Sequence, residues 1–319
     1  MTVTVQEAIE AYFAERESEL SESSITNHRY LLKQFREWCD PRRDVDNVAD
    51  IEPLTVSRFR RRRSESINSN TMYNQLSVLR LFLRFCDRMG WADETVPESV
   101  AMPNRAGCVR STTIDPDRIG NILDGLETYE YASLNHVLLA LTWTCSLRIG
   151  AIRALDVSDV HLDEQWLNIA HRPVTGTPLK NKVGSDREVN LHGWVCDVLR
   201  AWIDDRRPDV VDDHGRDPLV ASRYGRMTHS PIRTRIYKLT ACGGVSTGCG
   251  CGASTQSKCG DSVSPHAVRR SSITAWLGKG TEPELLSSRV DSSTKTLEKH
   301  YDVRSEADKR ELRRDAFDM

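Results

Sequence analysis

The sequence predicts a mainly α fold with a small antiparallel β-sheet, divided into two domains. Three observations carry that expectation. Apolar residues recur at helical spacing through most of the chain. Two short β-prone runs, residues 166–170 and 187–191, flank a turn-rich segment. The stretch 93–112, broken by Pro97, Pro103, Asn104 and Gly107, is longer than an ordinary connection and reads as a linker. A helical domain over 1–92 and a second domain over 113–319 follow from it.

Taken in order, residues 5–16 place Ala8, Ile9, Tyr12 and Phe13 on one stripe. Ser21 offers a hydroxyl cap to a second helix that sets Tyr30, Leu31, Phe35 and Trp38 on a face. Residues 51–63 form a short basic helix, and 69–89 carry Met72, Leu76, Leu79, Phe82 and Phe85 at helical spacing. The result is a four-helix bundle with basic flanks. Beyond the linker, helices are expected over 116–128 and 134–147, with a short one over 148–155. The β-hairpin comes next, then helices at 194–205, 232–239, 266–277 and from Pro283 onward. The insert 242–264, rich in Gly, Ser and Cys, is the one biased segment.

With 319 residues, 28% of them charged, the chain is long enough for two cores. Its longest apolar stretch, near 137–145, is about half of the ~20 residues a bilayer span needs, which excludes a transmembrane role. The first ten residues carry acids and no basic flank, unlike a signal peptide, so a cytoplasmic protein is expected. In that reducing compartment nine cysteines point to burial or metal ligation rather than disulfides. Cys39, Cys86, Cys108, Cys145 and Cys196 are scattered, whereas Cys242, Cys249, Cys251 and Cys259 crowd into the insert. Four thiolates there are sufficient for a structural Zn²⁺ site, with the insert's glycines letting so short a loop wrap an ion. The spacing lacks a C-x₂-C pair, and four unligated thiols in a flexible loop are the alternative.

Net charge is −2, from 44 Lys and Arg against 46 Asp and Glu, and by itself argues against a nucleic-acid partner. Its distribution argues the other way. Residues 51–91 hold Arg58, Arg60, Arg61, Arg62, Arg63, Arg80, Arg84 and Arg88 against three acids. Residues 218–260 hold Arg223, Arg226, Arg233, Arg235, Lys238 and Lys258 and no acid. Two basic surfaces on an acidic background suit a polyanion clamp; solvated helix faces are the plainer reading.

Three fragments bear on chemistry. Arg148 ends an apolar helix in Cys145-Ser-Leu-Arg-Ile-Gly-Ala, and His266-Ala-Val-Arg269 puts an imidazole and a guanidinium on one helical face. Tyr301 follows in Glu298-Lys-His-Tyr-Asp. Singly these are a snorkelling arginine, a chance pair and a packing tyrosine. Their order, with Lys180 between the two short strands and a basic helical bundle upstream, is the informative feature.

That order resembles the tyrosine recombinase (phage integrase) family, whose catalytic domain carries Arg, a β-hairpin Lys, His-x-x-Arg, a further His or Trp, and a nucleophilic Tyr. The resemblance spans the chain. It makes the N-terminal bundle a core-binding domain, with Thr71, Asn74, Leu79 and Phe82 at usual pattern positions, and the remainder the catalytic domain. Two departures stand out. Ala151 occupies a position usually written Glu, and the further His or Trp falls on Ser292, next to Asp291. Such a serine offers a hydrogen bond but no charge, which implies either a slower enzyme or a site completed by Arg289, His300 or a neighbouring subunit.

The resemblance implies a site-specific DNA recombinase, encoded by a mobile element, that works through a 3′-phosphotyrosine and needs no cofactor for catalysis. Arg148 and Arg269 would neutralise the phosphate, His266 accept the Tyr301 proton, and Lys180, or its rival Lys182, protonate the leaving oxygen. Double-stranded DNA would be held mainly by Arg58, Arg60, Arg61, Arg62, Arg63, Arg80, Arg223, Arg226, Arg233, Arg235 and Lys238. A homo-tetramer on paired sites is implied as well, with the tail 302–319 either docking on the next subunit or folding back. A DNA-binding relative with impaired catalysis, acting as an accessory protein, is the alternative, and a type IB topoisomerase a third.

Overall fold

The computed structural model describes residues 2–40, 45–104, 112–244 and 250–301, with residues 307, 310 and 314 beyond. Cys108, Cys249 and the tail residues Val303, Leu312 and Phe317 lie outside the described residues. The chain divides into two compact units, Met1–Arg110 and Ser111–Met319.

In the first unit, α1 (Val5–Arg16) starts at a capping box in which Thr4 and Glu7 satisfy each other's backbone N–H groups. Ser21 caps α2 (Glu22–Cys39), and Asn68 caps α4 (Ser69–Arg88). Between them α3 (Pro53–Ser64) opens with proline at its first turn and buries only Thr55, Val56 and Phe59. Its arginines are left off the core. Edge-to-face aromatic pairs hold the unit together, with Phe35 and Phe59 centroids 5.1 Å apart and Tyr12 and Phe82 5.9 Å apart. Tyr30 departs from expectation: it is 60% exposed, because the buried stripe of α2 is Leu31, Leu32, Phe35 and Cys39 and residue 30 falls on the opposite side. The expected linker is also partly structured, since α5 (Thr95–Glu98) sends Val96 into the first core and Val100 follows it.

The second unit is built around α7 (Leu134–Thr144), apolar on nearly every side and buried accordingly. Around it stand α6 (Pro116–Tyr129), α8 (Ile149–Ala154), α9 (Gly193–Ala201), α10 (His229–Leu239) and α11 (Pro265–Gly278). A three-stranded antiparallel sheet runs in the order β1 (Val160–His161), β2 (Trp166–Ile169), β3 (Arg187–Asn190). Leu167 pairs with Val189, and both face the core with Ile169. A small hairpin, β4 (Ala221–Ser222) and β5 (Gly225–Arg226), had no alternating pattern to announce it. The turn depends on Gly225 at φ +99°, where an added Cβ would stand 3.2 Å from the Val211 carbonyl oxygen. Finally α12 (Pro283–Val290) and α13 (Thr294–His300) form a satellite core with α11 from Ile273, Leu277, Leu286, Val290, Leu297 and Tyr301. No helix among the described residues is long and apolar enough to cross a membrane.

Candidate active site

The site lies where α8, α11 and the α12–α13 turn meet. After α7 the chain turns through Ser146 at φ +50°, and Arg148 becomes the N-cap of α8 with its side chain 28% exposed. That turn is fixed from α11: the Ser146 hydroxyl bonds that of Ser272 at 2.5 Å, and the Ser146 carbonyl accepts from Arg269 Nη1.

Arg269 is 2% exposed, the largest of the fully buried side chains. Its Nη1 donates to Ser146 O and its Nη2 to Val290 O at 2.6 Å, while its Nε–H has no acceptor among the described residues. Burial, then the charge of Arg148, pushes its pKa down to about 10, so it stays protonated at neutral pH. The Tyr301 phenol is a further hydrogen-bond partner of this guanidinium and opposes the shift.

Tyr301 follows α13, its ring buried and its backbone anchored by Leu297 O and by the Thr274 hydroxyl. The Arg270 guanidinium stands 5.8 Å from the ring centroid. His266 lies one turn before Arg269 in the first turn of α11 and stays exposed. Partial desolvation, followed by the charges of Arg269, Arg270 and Arg148, holds its imidazole below the ordinary value against a backbone hydrogen bond that raises it. The shift favours the neutral imidazole, the form that can accept a proton.

Lys180 and Lys182 are both exposed in the β2–β3 loop, Lys182 at φ +57°. The loop is tied to the site by its neighbours, for Asn181 Nδ2 and Ser185 Oγ donate to the Asp291 carboxylate at 2.8 and 2.9 Å. Ser292 is half-buried, and its backbone N–H caps α12 on Ser287 O. Arg289 is spent elsewhere, its Nη2 bonding Asn190 O and Thr144 O at 2.9 and 3.3 Å. The His300 side chain lies outside the described residues. Ser146, Ser272 and Asp291 were not legible as site residues, since nothing in a sequence marks a carbonyl or carboxylate that meets its partner across more than 100 residues.

The basic surfaces need correction. Arg226 is no surface residue: its side chain is 5% exposed, with Nε on Asp212 at 2.7 Å and Nη2 on Asp156, and Nη1 donates to Arg153 O and Leu155 O. Burial pushes Asp212 up, but the N–H groups of Arg216 and His214 and the Arg226 side chain overcome it and bring it to about 2. This buried ion pair is structural. Arg80 donates to Val100 O, Arg63 to Gln75 at 2.8 Å and Arg235 to Asn135 at 3.0 Å, each from a half-buried position. Arg60 is half-buried too, while Arg58, Arg61, Arg62, Arg223, Arg233 and Lys238 are exposed. A stretch without acids can still contain an arginine whose acids come from elsewhere.

Of the scattered cysteines, Cys39, Cys86, Cys145 and Cys196 are buried. In the insert, the sulfurs of Cys242, Cys251 and Cys259 lie within 4.8 Å of one another, and Cys242 N–H donates to Cys259 Sγ at 3.4 Å.

A two-part match defines the class. Residues 112–304 match the phage integrase family, and residues 9–90 match the phage integrase N-terminal SAM-like domain. The chain belongs to the phage integrase family and with it to the tyrosine-type site-specific DNA recombinases. Among relatives, it is 22% identical to the tyrosine recombinase XerC of Shewanella amazonensis over 267 residues, 82% of this chain and 78% of that one. Its fold is similar to that of the Tn1549 transposon integrase in complex with a circular intermediate DNA (TM-score 0.69, 13% identity, 98% and 100% of the two chains). It is similar too to the lambda integrase dimer bound to a core site (TM-score 0.67, 12% identity, 94% and 77%).

Proposed function

We propose that this protein cleaves and rejoins duplex DNA at a specific site through a covalent 3′-phosphotyrosine at Tyr301. The observation that supports it most is geometric: buried Arg269 holds the turn before Arg148 and the end of α12, Arg148 pairs with Asp291 at that same end, His266 shares the first turns of α11, and Tyr301 is packed behind them in the same core. The Tyr301 oxygen attacks the scissile phosphorus and its proton passes to neutral His266. The bond from phosphorus to the 5′ oxygen breaks, and Lys180 or Lys182 protonates the leaving group. Arg148 and Arg269 neutralise the charge that builds on the non-bridging oxygens. Attack by the 5′ hydroxyl of another strand reverses each step, so the bond energy is kept and no nucleotide cofactor is consumed.

Duplex DNA is the partner this chemistry requires, and the cytoplasm the compartment where it is met. Exposed Arg58, Arg61, Arg62, Arg223, Arg233 and Lys238 supply phosphate contacts, in a homo-oligomer on paired sites, with a tetramer as the exchanging unit. The separate units suit the assignment of 1–92 to core binding and 113–319 to catalysis. Ser292, uncharged where the family writes His or Trp, favours a second reading as an accessory DNA-binding protein. A nicked substrate from which the cleaved fragment diffuses away separates them. The recombinase forms an adduct resistant to denaturant at one discrete site; binding without any adduct gives the accessory role, and relaxation of plasmids lacking that site gives a topoisomerase.

Catalysis takes no metal, but the insert has a ligand set of its own. Thiolates around tetrahedral zinc stand roughly 3.8 Å apart, so the three sulfurs need to close only slightly. We assign them, with Cys249 as the fourth ligand, to a structural zinc that stiffens a loop lacking an apolar core and leading directly into the His266 helix. Protein purified without added metal or a metal-binding tag is expected to hold about one zinc per chain, lost when Cys242 and Cys251 are changed together to Ser. Metal-free protein with full activity and an ordered loop refutes the assignment.

A further inference from the structure

The acidic partner of Arg148 does not sit on its own helix. Position 151 lies one turn along α8 from Arg148, but it is a buried alanine and offers no acceptor. The acceptor comes from residue 291, 143 positions away. Arg148 Nη1 meets Asp291 Oδ2 at 2.5 Å, and Asp291 is the less exposed partner, with 10% of its side chain accessible against 28% for Arg148.

Asp291 is placed by the way α12 ends. It is the C-cap at φ +54°, ψ +57°, a left-handed conformation that Asp tolerates better than most residues, and its N–H bonds Ser287 O. The preceding residue supplies the carbonyl that holds Arg269 Nη2. One helix terminus thus anchors both arginines, Arg269 through Val290 O and Arg148 through the Asp291 carboxylate. The charges need such an anchor. Arg148 and Arg187 are close enough to each other, and to Arg269, to depress the proton affinity of both Arg187 and Arg269, and Asp291 is the first group to oppose the burial of Arg187. The same carboxylate accepts from Asn181 and Ser185, whose loop bears Lys180 and Lys182.

We propose that Asp291 is the positioning residue of the site: it fixes one edge of the Arg148 guanidinium so that the other edge faces the scissile phosphate, and it ties the lysine loop to that arginine. The proposal rests on the recombinase reading above. Only Nη1 of Arg148 is engaged among the described residues, which leaves the Nε–Nη2 edge to take two phosphate oxygens. The ion pair is a brace beside the phosphate site and does not fill it.

Asp291→Asn is the suitable variant, because Asn keeps the shape and the left-handed conformation while removing the charge. Its cleavage rate on the nicked substrate is expected to fall on the order of 10²-fold, the cost of misplacing a reacting geometry by about 1 Å, with DNA affinity unchanged and a lower melting temperature from the weakened buried network. The diagnostic readout is a substrate whose scissile phosphate is a neutral methylphosphonate. A group that serves the phosphate charge through Arg148 matters little there, so the variant should approach the wild-type rate, whereas a general packing defect persists on both substrates and refutes the proposal. Wild-type or faster cleavage of the ordinary substrate by Asp291→Asn also refutes it, faster cleavage meaning that the carboxylate competes with the phosphate. Guanidinium N–H resonances test the brace without DNA: hindered rotation at Arg148 in the wild type, lost in Asp291→Asn, supports it, and free rotation in both overturns it. If the wild type forms no adduct while Arg148 is hindered, the recombinase reading fails and the brace stands.

Discussion

Tyr301→Phe is expected to abolish the covalent protein–DNA adduct while leaving DNA affinity within about twofold of wild type. The substitution deletes one oxygen, the atom proposed to bond to phosphorus, and keeps a ring that packs against Ile273, Leu277, Leu286, Val290 and Leu297. The backbone contacts to Leu297 and Thr274 do not involve that oxygen, so α13 should stay where it is. Arg269 loses a hydrogen-bond partner but keeps both carbonyls. Affinity should hardly change if, as proposed, it comes from exposed cations such as Arg58, Arg61 and Lys238. Gel separation after denaturation, with a filter-binding isotherm on the same duplex, checks both halves. An adduct that survives in Tyr301→Phe moves the nucleophile to another residue, Tyr224 and Tyr237 being next to test. Tyr224 is 81% exposed and covered on one face by Arg223 at 4.6 Å, unlike the buried Tyr301 ring.

The contrast between Tyr301 and Asp291 shows what can be read in this sequence. Helices with a strong local grammar were legible: the stripe of Ala8, Ile9, Tyr12 and Phe13 marks α1, Ser21 caps α2, and the His266–Arg269 face of α11 follows from spacing alone. The hairpin that carries Lys180 was legible from two β-prone runs about a turn. Strands of two residues, such as β1 and β4, contain too little pattern to register. Partners brought together by the fold were illegible for a different reason. Arg226 sits in a segment free of acids, and its carboxylates come from Asp156 and Asp212. Ser146 and Asp291 do their work through two left-handed turns that no period announces. Residue types with special chemistry could be picked out one by one, but the groups that aim them could not.

Arg269→Lys carries the other large expected effect, a loss of cleavage on the order of 10³-fold, comparable with removing a donor from a preorganised anion site. The native guanidinium does three things at once from a position 2% exposed. It holds the Ser146 turn, it holds the end of α12, and in the proposed mechanism it sets its charge beside the phosphate. An ammonium has three donors at one point and no planar fork, so it cannot reach two carbonyls on different elements and a phosphate oxygen together. Buried as it is, it also loses its proton more readily than a guanidinium. Leaving a buried carbonyl unpaired should lower stability by about 1–3 kcal/mol, readable as a fall in melting temperature, while DNA binding through the exposed cations stays within a few-fold. Arg148→Lys is the informative companion. Its side chain is more exposed and its one bond among the described residues is an ion pair that Lys is able to keep, so stability should hold while cleavage still falls, because the free edge of the fork is gone. Single-turnover cleavage of the nicked substrate, beside melting curves for both variants, decides the matter. A wild-type rate in Arg269→Lys is incompatible with a guanidinium that grips the phosphate.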